Sequence, residues 1–226
     1  MCFSPQGDLV GGAVVAAIGI DACWHARGRP ELAAVAALPV VLGLHQIDET
    51  FVWWGLQGSV AAGTGRAAMW VYLIFALVVL PVLAPLIVMT AEPVVRRRWQ
   101  MAPFVLVGAG VAALLGETMA THGANAALGA HHISYSIGLP DGYVVVSAYV
   151  VATCVPFLLS SYRHIRYFGV ANLVAVIVLA RLCATGFTSL WCGYAALVSA
   201  AIALHLRYGH RAPARTPVTQ GASGTT

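Results

Sequence analysis

The feature that most constrains the fold of this chain is a succession of apolar stretches, each about as long as a bilayer is thick. An α-helix crosses the hydrocarbon core with about 20 apolar residues. Seven such stretches fill almost the whole chain, in which 60% of residues are hydrophobic and 9% charged. The sequence therefore predicts an all-α integral membrane protein, a bundle of seven transmembrane helices at 9–25, 33–56, 68–90, 102–121, 143–161, 168–186 and 188–206.

The basic residues indicate how this bundle is oriented. All twelve are arginine. Apart from Arg66 and Arg181, they lie in the first, third and fifth connections between predicted helices or near the C-terminus. Because cytoplasmic connections are rich in Arg and Lys, this pattern predicts an N-terminus outside, a C-terminus inside and a multi-pass protein of the bacterial cytoplasmic (inner) membrane. The same pattern accounts for the net charge of +4 without a nucleic-acid partner.

The chain is predicted to form one domain followed by a tail. Residues 1–208 make up a single seven-helix transmembrane domain, which leaves no room for a separate soluble domain. Residues 209–226 are rich in Pro, Ser, Thr and Gly, a composition typical of disordered segments. We expect them to be a cytoplasmic tail without function of its own.

Polar and ionisable residues within the predicted helices are candidates for function, because they are costly at membrane depth. Under the predicted orientation they gather in the outer half of the bundle, which indicates a polar pocket open to the outside. The second helix contributes His45, Asp48, Glu49 and Trp53. The remaining candidates are Cys2, Glu117, His122, His131, His132, Tyr135, Arg181, Trp191 and Cys192.

The most specific local pattern is His45 followed by Glu49. Four residues apart, the two side chains share one helical face, where they can bind one metal ion or each other. Histidines supplied from the outer side favour the metal, since zinc takes three or four such ligands and a catalytic site keeps one position for water. We expect a divalent metal ion, with zinc as the candidate, held by His45, Glu49 and His132, with His122 or Cys2 as a further ligand. The alternative is a hydrogen bond that joins two helices.

Glu117 and Arg181 allow two interpretations. They can form a buried ion pair that bridges two helices without any chemistry. Alternatively, Glu117 is a ligand or proton acceptor and Arg181 anchors an anionic group of the substrate.

Several short motifs together resemble a family of small bacterial polytopic membrane proteins that open with Met-Cys-Phe-Ser and have no established activity. The resemblance implies the same fold and adds weight to Cys2, His45, Glu49, His132 and Cys192, but it names no reaction. The motifs are Met1-Cys2-Phe3-Ser4, His45-Gln46 with Glu49, Val52-Trp53, His132-Ile133-Ser134-Tyr135, Leu158-Leu159-Ser160-Ser161 and Ser189-Leu190-Trp191-Cys192.

Three functions follow from these residues. The leading prediction is a metal-dependent membrane enzyme that acts on a lipid-like or amphipathic substrate, with Glu49, Glu117 and Arg181 as catalytic residues. A second version needs no metal: a buried Glu49 or Glu117 protonates an isoprenoid, as in small membrane terpene cyclases. The third is a transporter, a sensor, or a haem- or metal-binding protein without turnover. Metal and haem content discriminate the first from the second.

Overall fold

The computed structural model describes residues 4–28, 30–129, 132–139 and 142–182, together with Val198. Seven α-helices, one π-helical turn and a two-stranded hairpin make up this part of the chain. In order, they are α1 Pro5–His25, α2 Pro30–Leu56, α3 Ala62–Leu73, the π-helical turn Ile74–Val79, α4 Leu80–Ala91, α5 Val95–His122, β1 Asn125–Leu128, β2 Ile133–Ser136, α6 Tyr143–Leu159 and α7 Arg163–Leu182.

The helices coincide with the first six predicted segments as far as the structure describes the chain, but seven helices of membrane-spanning length are not found within it. α3, the π-helical turn and α4 form one continuous rod. Within the described residues, four segments are long and apolar enough to cross a membrane, and two shorter apolar helices follow them: Pro5–His25, Ala33–Leu56, Ala62–Ala91 and Val95–His122, then Tyr143–Leu159 and Ile165–Val178. The seventh predicted helix, 188–206, lies outside the described residues apart from Val198.

The connection between α5 and α6 adds a short pair of strands to the predicted helical fold. β1 and β2 pair antiparallel there, with Leu128 opposite Ile133. Ile133 is fully buried in a hydrophobic cluster that includes Val52 of α2, Tyr72 of α3 and Met119 of α5. Strand residues alternate between two faces, so the apolar side chain of β2 points into the bundle while its serine neighbours do not. The connection is thus a folded element attached to one end of the bundle.

Small residues let the first two helices approach closely, as the predicted bundle requires. Gly12 of α1 faces Gly43 of α2, and a Cβ added at Gly12 would lie 2.7 Å from the Gly43 carbonyl oxygen. Gly108 of α5 packs in the same way against the backbone of Pro81 in α4. Such contacts matter because lipid provides no hydrophobic drive between helices, so close backbone packing must hold them together.

Gly12→Ala is expected to lower stability by about 1–3 kcal/mol, since the new methyl group collides with backbone that cannot move aside. The measurement is thermal unfolding in detergent. Gly110→Ala in α5 is the matched control, because a Cβ there meets nothing within 4 Å. That variant should be neutral or slightly more stable through helix propensity. Equal melting temperatures for the two variants would contradict the described packing of α1 on α2.

A buried carboxylate joins the connection after α4 to the connection after α6. Glu92 has no exposed surface. Its carboxylate accepts hydrogen bonds from the Val94 N–H at 3.2 Å, the Ser160 hydroxyl at 3.2 Å and the Ser161 N–H at 2.7 Å, and from the Ser161 hydroxyl as well. Burial disfavours the charged form, but the hydrogen bonds outweigh it and lower the pKa of Glu92 below its ordinary value of 4.5.

Two arginines reinforce this junction. Arg97 donates to the carbonyl oxygens of Leu159 at 3.2 Å and Ser160 at 3.1 Å, while Arg98 donates to the Glu92 carbonyl oxygen at 2.7 Å. The Leu158-Leu159-Ser160-Ser161 motif therefore has a structural role: it receives the polar groups of the α4–α5 connection. It follows that the arginines of the third and fifth connections lie at one end of the bundle.

Glu92 should make stability depend on pH in the acid range. A carboxyl group whose pKa is lowered by folding contributes stability that is complete above its unfolded-state pKa and is lost as the pH falls through the folded-state value. The melting temperature of the wild type should therefore fall between about pH 5 and pH 3 more steeply than that of Glu92→Gln. At pH 7 the variant should be the less stable protein.

Glu117→Gln provides the control, because this side chain is exposed on α5. Its pH profile should follow that of the wild type. If Glu92→Gln and Glu117→Gln gave the same profile, the charge of Glu92 would not hold the two connections together.

Candidate functional site: an aromatic cavity

A cavity of about 280 Å³ lies inside the bundle and provides the candidate site. Its wall comes from α2, α3, the π-helical turn, α4, α5 and α6, and from β2 with the residues that follow it. Eleven of the fifteen lining residues are aliphatic, and the other four are His45, Tyr72, Tyr135 and Tyr149. Among the described residues, no Asp, Glu, Lys or Arg contributes to the wall. The cavity is therefore an apolar compartment with a few aromatic polar groups.

Three aromatic rings from three elements form a continuous stack at one side of the cavity. The His45 imidazole of α2 stacks on Tyr72 of α3 at 4.1 Å between ring centroids, and Tyr72 stacks on Tyr135 of β2 at 4.9 Å. Phe75 adds a tilted contact to His45 at 4.6 Å. Such pairs contribute about 0.5–1.5 kcal/mol beyond the area they bury. The stack thus fixes the hairpin and the imidazole relative to each other.

Glu49 lies behind this stack. It is fully buried, and its Oε1 accepts a hydrogen bond from the Tyr135 hydroxyl at 3.3 Å. The two residues are far apart in sequence and meet because the hairpin folds onto α2. Glu49 is not part of the cavity wall, so Tyr135 stands between the carboxyl group and the cavity.

The His45 side chain faces the cavity and has no polar partner in the part of the chain that the structure describes. Its ring contacts are the stack and Phe75, and its nitrogens make no hydrogen bond or ion pair with any residue that the structure describes. A hydrogen bond between His45 and Glu49, the alternative to a shared metal ion, is therefore not formed in the described structure, although both lie on the same side of α2. An imidazole in this state can donate or accept a hydrogen bond from a bound molecule.

Pro81 accounts for the π-helical turn Ile74–Val79. Pro81 has no backbone N–H, so the carbonyl of Leu77 lacks its usual donor four residues later. At the end of the turn, the Leu80 N–H donates to the Phe75 oxygen, five residues back. Turns of this kind recur at functional sites because the extra residue widens the helix locally.

The widened turn shapes the cavity. Leu73, Ala76, Leu77 and Leu80 all line it. The Tyr149 hydroxyl of α6 donates to the Ala76 carbonyl oxygen at 2.7 Å, which attaches α6 to the turn. The cavity therefore lies where the rod of α3 and α4 departs from regular helical geometry.

The described part of the chain does not assemble the predicted metal ligands. Within it, no group of three or more His, Cys, Asp or Glu side chains is arranged to hold a metal ion. His122 is exposed and its Nδ1 hydrogen-bonds the Thr121 hydroxyl at 2.9 Å. The His132 ring lies over Gly129 in the hairpin turn. The other predicted residues Cys2, His131, Trp191 and Cys192, and the side chain of Arg181, lie outside the described residues.

Three further predicted residues lie away from the cavity wall. Glu117 is exposed, and its position two residues after the lining Leu115 puts it on roughly the opposite face of α5. Asp48 is half-buried, and its Oδ2 has no hydrogen-bond partner among the described residues. Trp53 is buried in the core, where its indole N–H donates to Oδ2 of Asp8 at 2.8 Å.

The sequence reasoning missed Asp8, Tyr72 and Tyr149. Asp8 lies in the first turn of α1, four residues after the Ser4 N-cap, where an acidic residue is common. The two tyrosines lie in the middle of apolar helices. A buried tyrosine usually needs a hydrogen-bond partner for its hydroxyl, so a tyrosine within an apolar helix could have indicated a polar contact there.

These features define a helical protein with four membrane-crossing candidates in its described part and an apolar, aromatic-lined cavity. More particularly, the chain belongs to the family of unknown function DUF6629, whose model matches residues 1–218. The predicted membership of an uncharacterised family is thereby confirmed. No curated protein and no solved structure is detectably similar to the chain.

Tyr135→Phe tests the contact between the hairpin and Glu49. Loss of the hydroxyl should lower stability by about 1–2 kcal/mol, because a buried carboxyl group loses one hydrogen-bond donor. The measurement is thermal unfolding in detergent, with Tyr143→Phe as the control, since Tyr143 is 89% exposed. An unchanged melting temperature for Tyr135→Phe would contradict the described docking of the hairpin.

Proposed function

We propose that the protein is a membrane-embedded enzyme that acts on a lipid-like or amphipathic molecule held in the aromatic cavity. The observation that carries the proposal is an apolar wall that includes an imidazole bonded to no described residue. Binding sites for small molecules are typically apolar with a few placed polar groups, at volumes of roughly 300–1,000 Å³. The cavity matches that description at its lower limit.

The chemistry assigned to the site is proton transfer. Histidine is the commonest general acid or base, and His45 is the histidine that lines the cavity. Tyr135 provides a second path for a proton, because its hydroxyl lines the cavity and donates a hydrogen bond to the buried Glu49. In this proposal His45 exchanges a proton with the bound molecule. The hydrogen bond from Tyr135 to Glu49 holds the ring stack in place, and the stack positions His45.

The proposal includes the full topology of seven helices with the N-terminus outside. The arginines of the third and fifth connections lie at one end, which supports a cytoplasmic position for that end. The hairpin then lies at the outer end. The cavity, which the hairpin helps to close, belongs to the outer half of the bundle in the bacterial cytoplasmic membrane.

A metal-dependent version is the second candidate, favoured by the position of His45 and Glu49 on one side of α2. A divalent ion such as zinc would activate water or polarise a carbonyl oxygen when bound. The described residues do not complete a ligand set, so a further ligand such as Cys2 or His131 is required. The protein, purified without chelator, should be compared with His45→Ala and Glu49→Ala by elemental mass spectrometry and for haem by absorption.

Near-stoichiometric metal that is lost in both variants would establish this version. A well-folded protein without metal or chromophore would leave proton transfer as the chemistry.

Occupation of the cavity can be tested by filling it. Val150 of α6 lines the cavity, whereas Val144 of the same helix is 77% exposed. Val150→Trp should reduce the lipid that co-purifies with the protein by about tenfold or more, and Val144→Trp should not. The measurement is solvent extraction of the detergent-purified protein followed by mass spectrometry. Equal lipid content in both variants would refute binding in this cavity.

Turnover is tested separately with His45→Gln. The protein is incubated with a bacterial lipid extract, and converted species are detected by untargeted mass spectrometry. We expect conversion by the wild type and by Glu117→Gln, and a loss of about 100-fold or more in His45→Gln, the range typical of a removed acid–base group. Bound lipid without conversion by the wild type would make this a binding protein.

A further inference from the structure

The polar groups of the cavity wall restrict which head group a ligand can carry. The described wall has no charged side chain, and the hydroxyl protons of Tyr135 and Tyr149 are directed at Glu49 and the Ala76 carbonyl. His45 is left as a polar group that bonds no described residue. A ligand therefore meets an imidazole, three tyrosine side chains and aliphatic side chains.

An uncharged head group suits such a wall far better than a charged one. A phosphate or carboxylate moved into an apolar site without a cationic partner loses its hydration and gains no ion pair. A hydroxyl or carbonyl group needs a single hydrogen bond, and an imidazole can be the donor or the acceptor. The volume of about 280 Å³ also limits the ligand to one chain or ring system, so a two-chain phospholipid does not fit.

The cavity reaches the surface of the bundle beside α6. Val146 lines it and is 54% exposed, and its neighbours Val144 and Tyr143 are 77% and 89% exposed. Ile137 and Leu139, which also line the cavity, lie in the connection that leads into α6, and the Leu139 side chain lies beside Gly142 at the start of that helix. An exposed apolar surface on an apolar helix faces lipid in a membrane protein. With α6 crossing the membrane, as in the proposed seven-helix topology, this opening leads into the bilayer.

We propose that the cavity selects an uncharged single-chain lipid with a hydroxyl or carbonyl head, and that this ligand enters sideways from the bilayer past Val146. The inference rests on the proposed function, because it assumes that the cavity holds a lipid-like molecule. The imidazole of His45 receives the head group, and the chain lies along the aliphatic wall.

A pair of photoactivatable probes tests both the selection of the head group and the route of entry. One is a long-chain alcohol with a diazirine in its chain, and the other is the fatty acid of the same length. Each is added at pH 8 to zwitterionic phospholipid vesicles that contain the full-length protein, and labelled peptides are identified by mass spectrometry after irradiation. We expect about tenfold more labelling of cavity-lining residues by the alcohol than by the acid.

The entrance is tested by the rate of labelling. Val146→Trp should slow labelling by the alcohol about tenfold. Val144→Trp, on the same helix but not part of the cavity wall, should leave the rate unchanged. Leu139→Trp enlarges a lining side chain beside the start of α6 and replaces Val146→Trp if that variant fails to fold.

Each outcome has a distinct meaning. Equal labelling by alcohol and acid that Val150→Trp still blocks overturns the selection of uncharged heads but not the proposed function. Labelling that Val150→Trp leaves intact overturns the proposed function itself. A rate unchanged by Val146→Trp and Leu139→Trp overturns the entrance from the bilayer.

Discussion

The contact between the hairpin and the second helix is the interaction on which the candidate site depends. Ile133 inserts into the core, and two residues later Tyr135 stacks on Tyr72 and donates to Glu49. Without this contact the cavity would lose part of its wall and the buried carboxyl group one of its donors. A short hairpin can do this because its residues alternate between two faces, so Ile133 and Tyr135 point the same way.

Polar groups buried in an apolar bundle explain much of its tertiary structure. Asp8 accepts from Trp53 and joins α1 to α2, and Glu92 accepts from Ser161 and joins two connections. Glu49 joins α2 to the hairpin in the same way. A buried polar group without a partner is costly, so each carboxylate specifies which element must lie beside it. Close packing of glycines and these specific bonds together replace the hydrophobic drive that lipid does not supply.

The sequence predicted the positions of the helices well, but it predicted only some of the residues that meet at the candidate site. The first six apolar stretches correspond to described helices, because length and hydrophobicity are local properties. His45, Glu49 and Tyr135 were predicted to share a pocket, and they lie together around one ring stack. The prediction placed Glu117 with them by depth alone. Depth does not specify the side of a helix, and Glu117 is exposed.

The sequence by itself determined that the chain forms apolar helices of membrane-spanning length, because a helix satisfies its own backbone polar groups within a bilayer and continuous apolar stretches of about 20 residues suit a helix and not a barrel strand. It also determined the local causes of irregularity, such as the missing N–H of Pro81. The tertiary structure alone decided where the cavity lies and which group Glu49 meets. Those depend on contacts between residues remote in sequence, such as Tyr135 and Glu49, and no local pattern encodes which remote residues will meet.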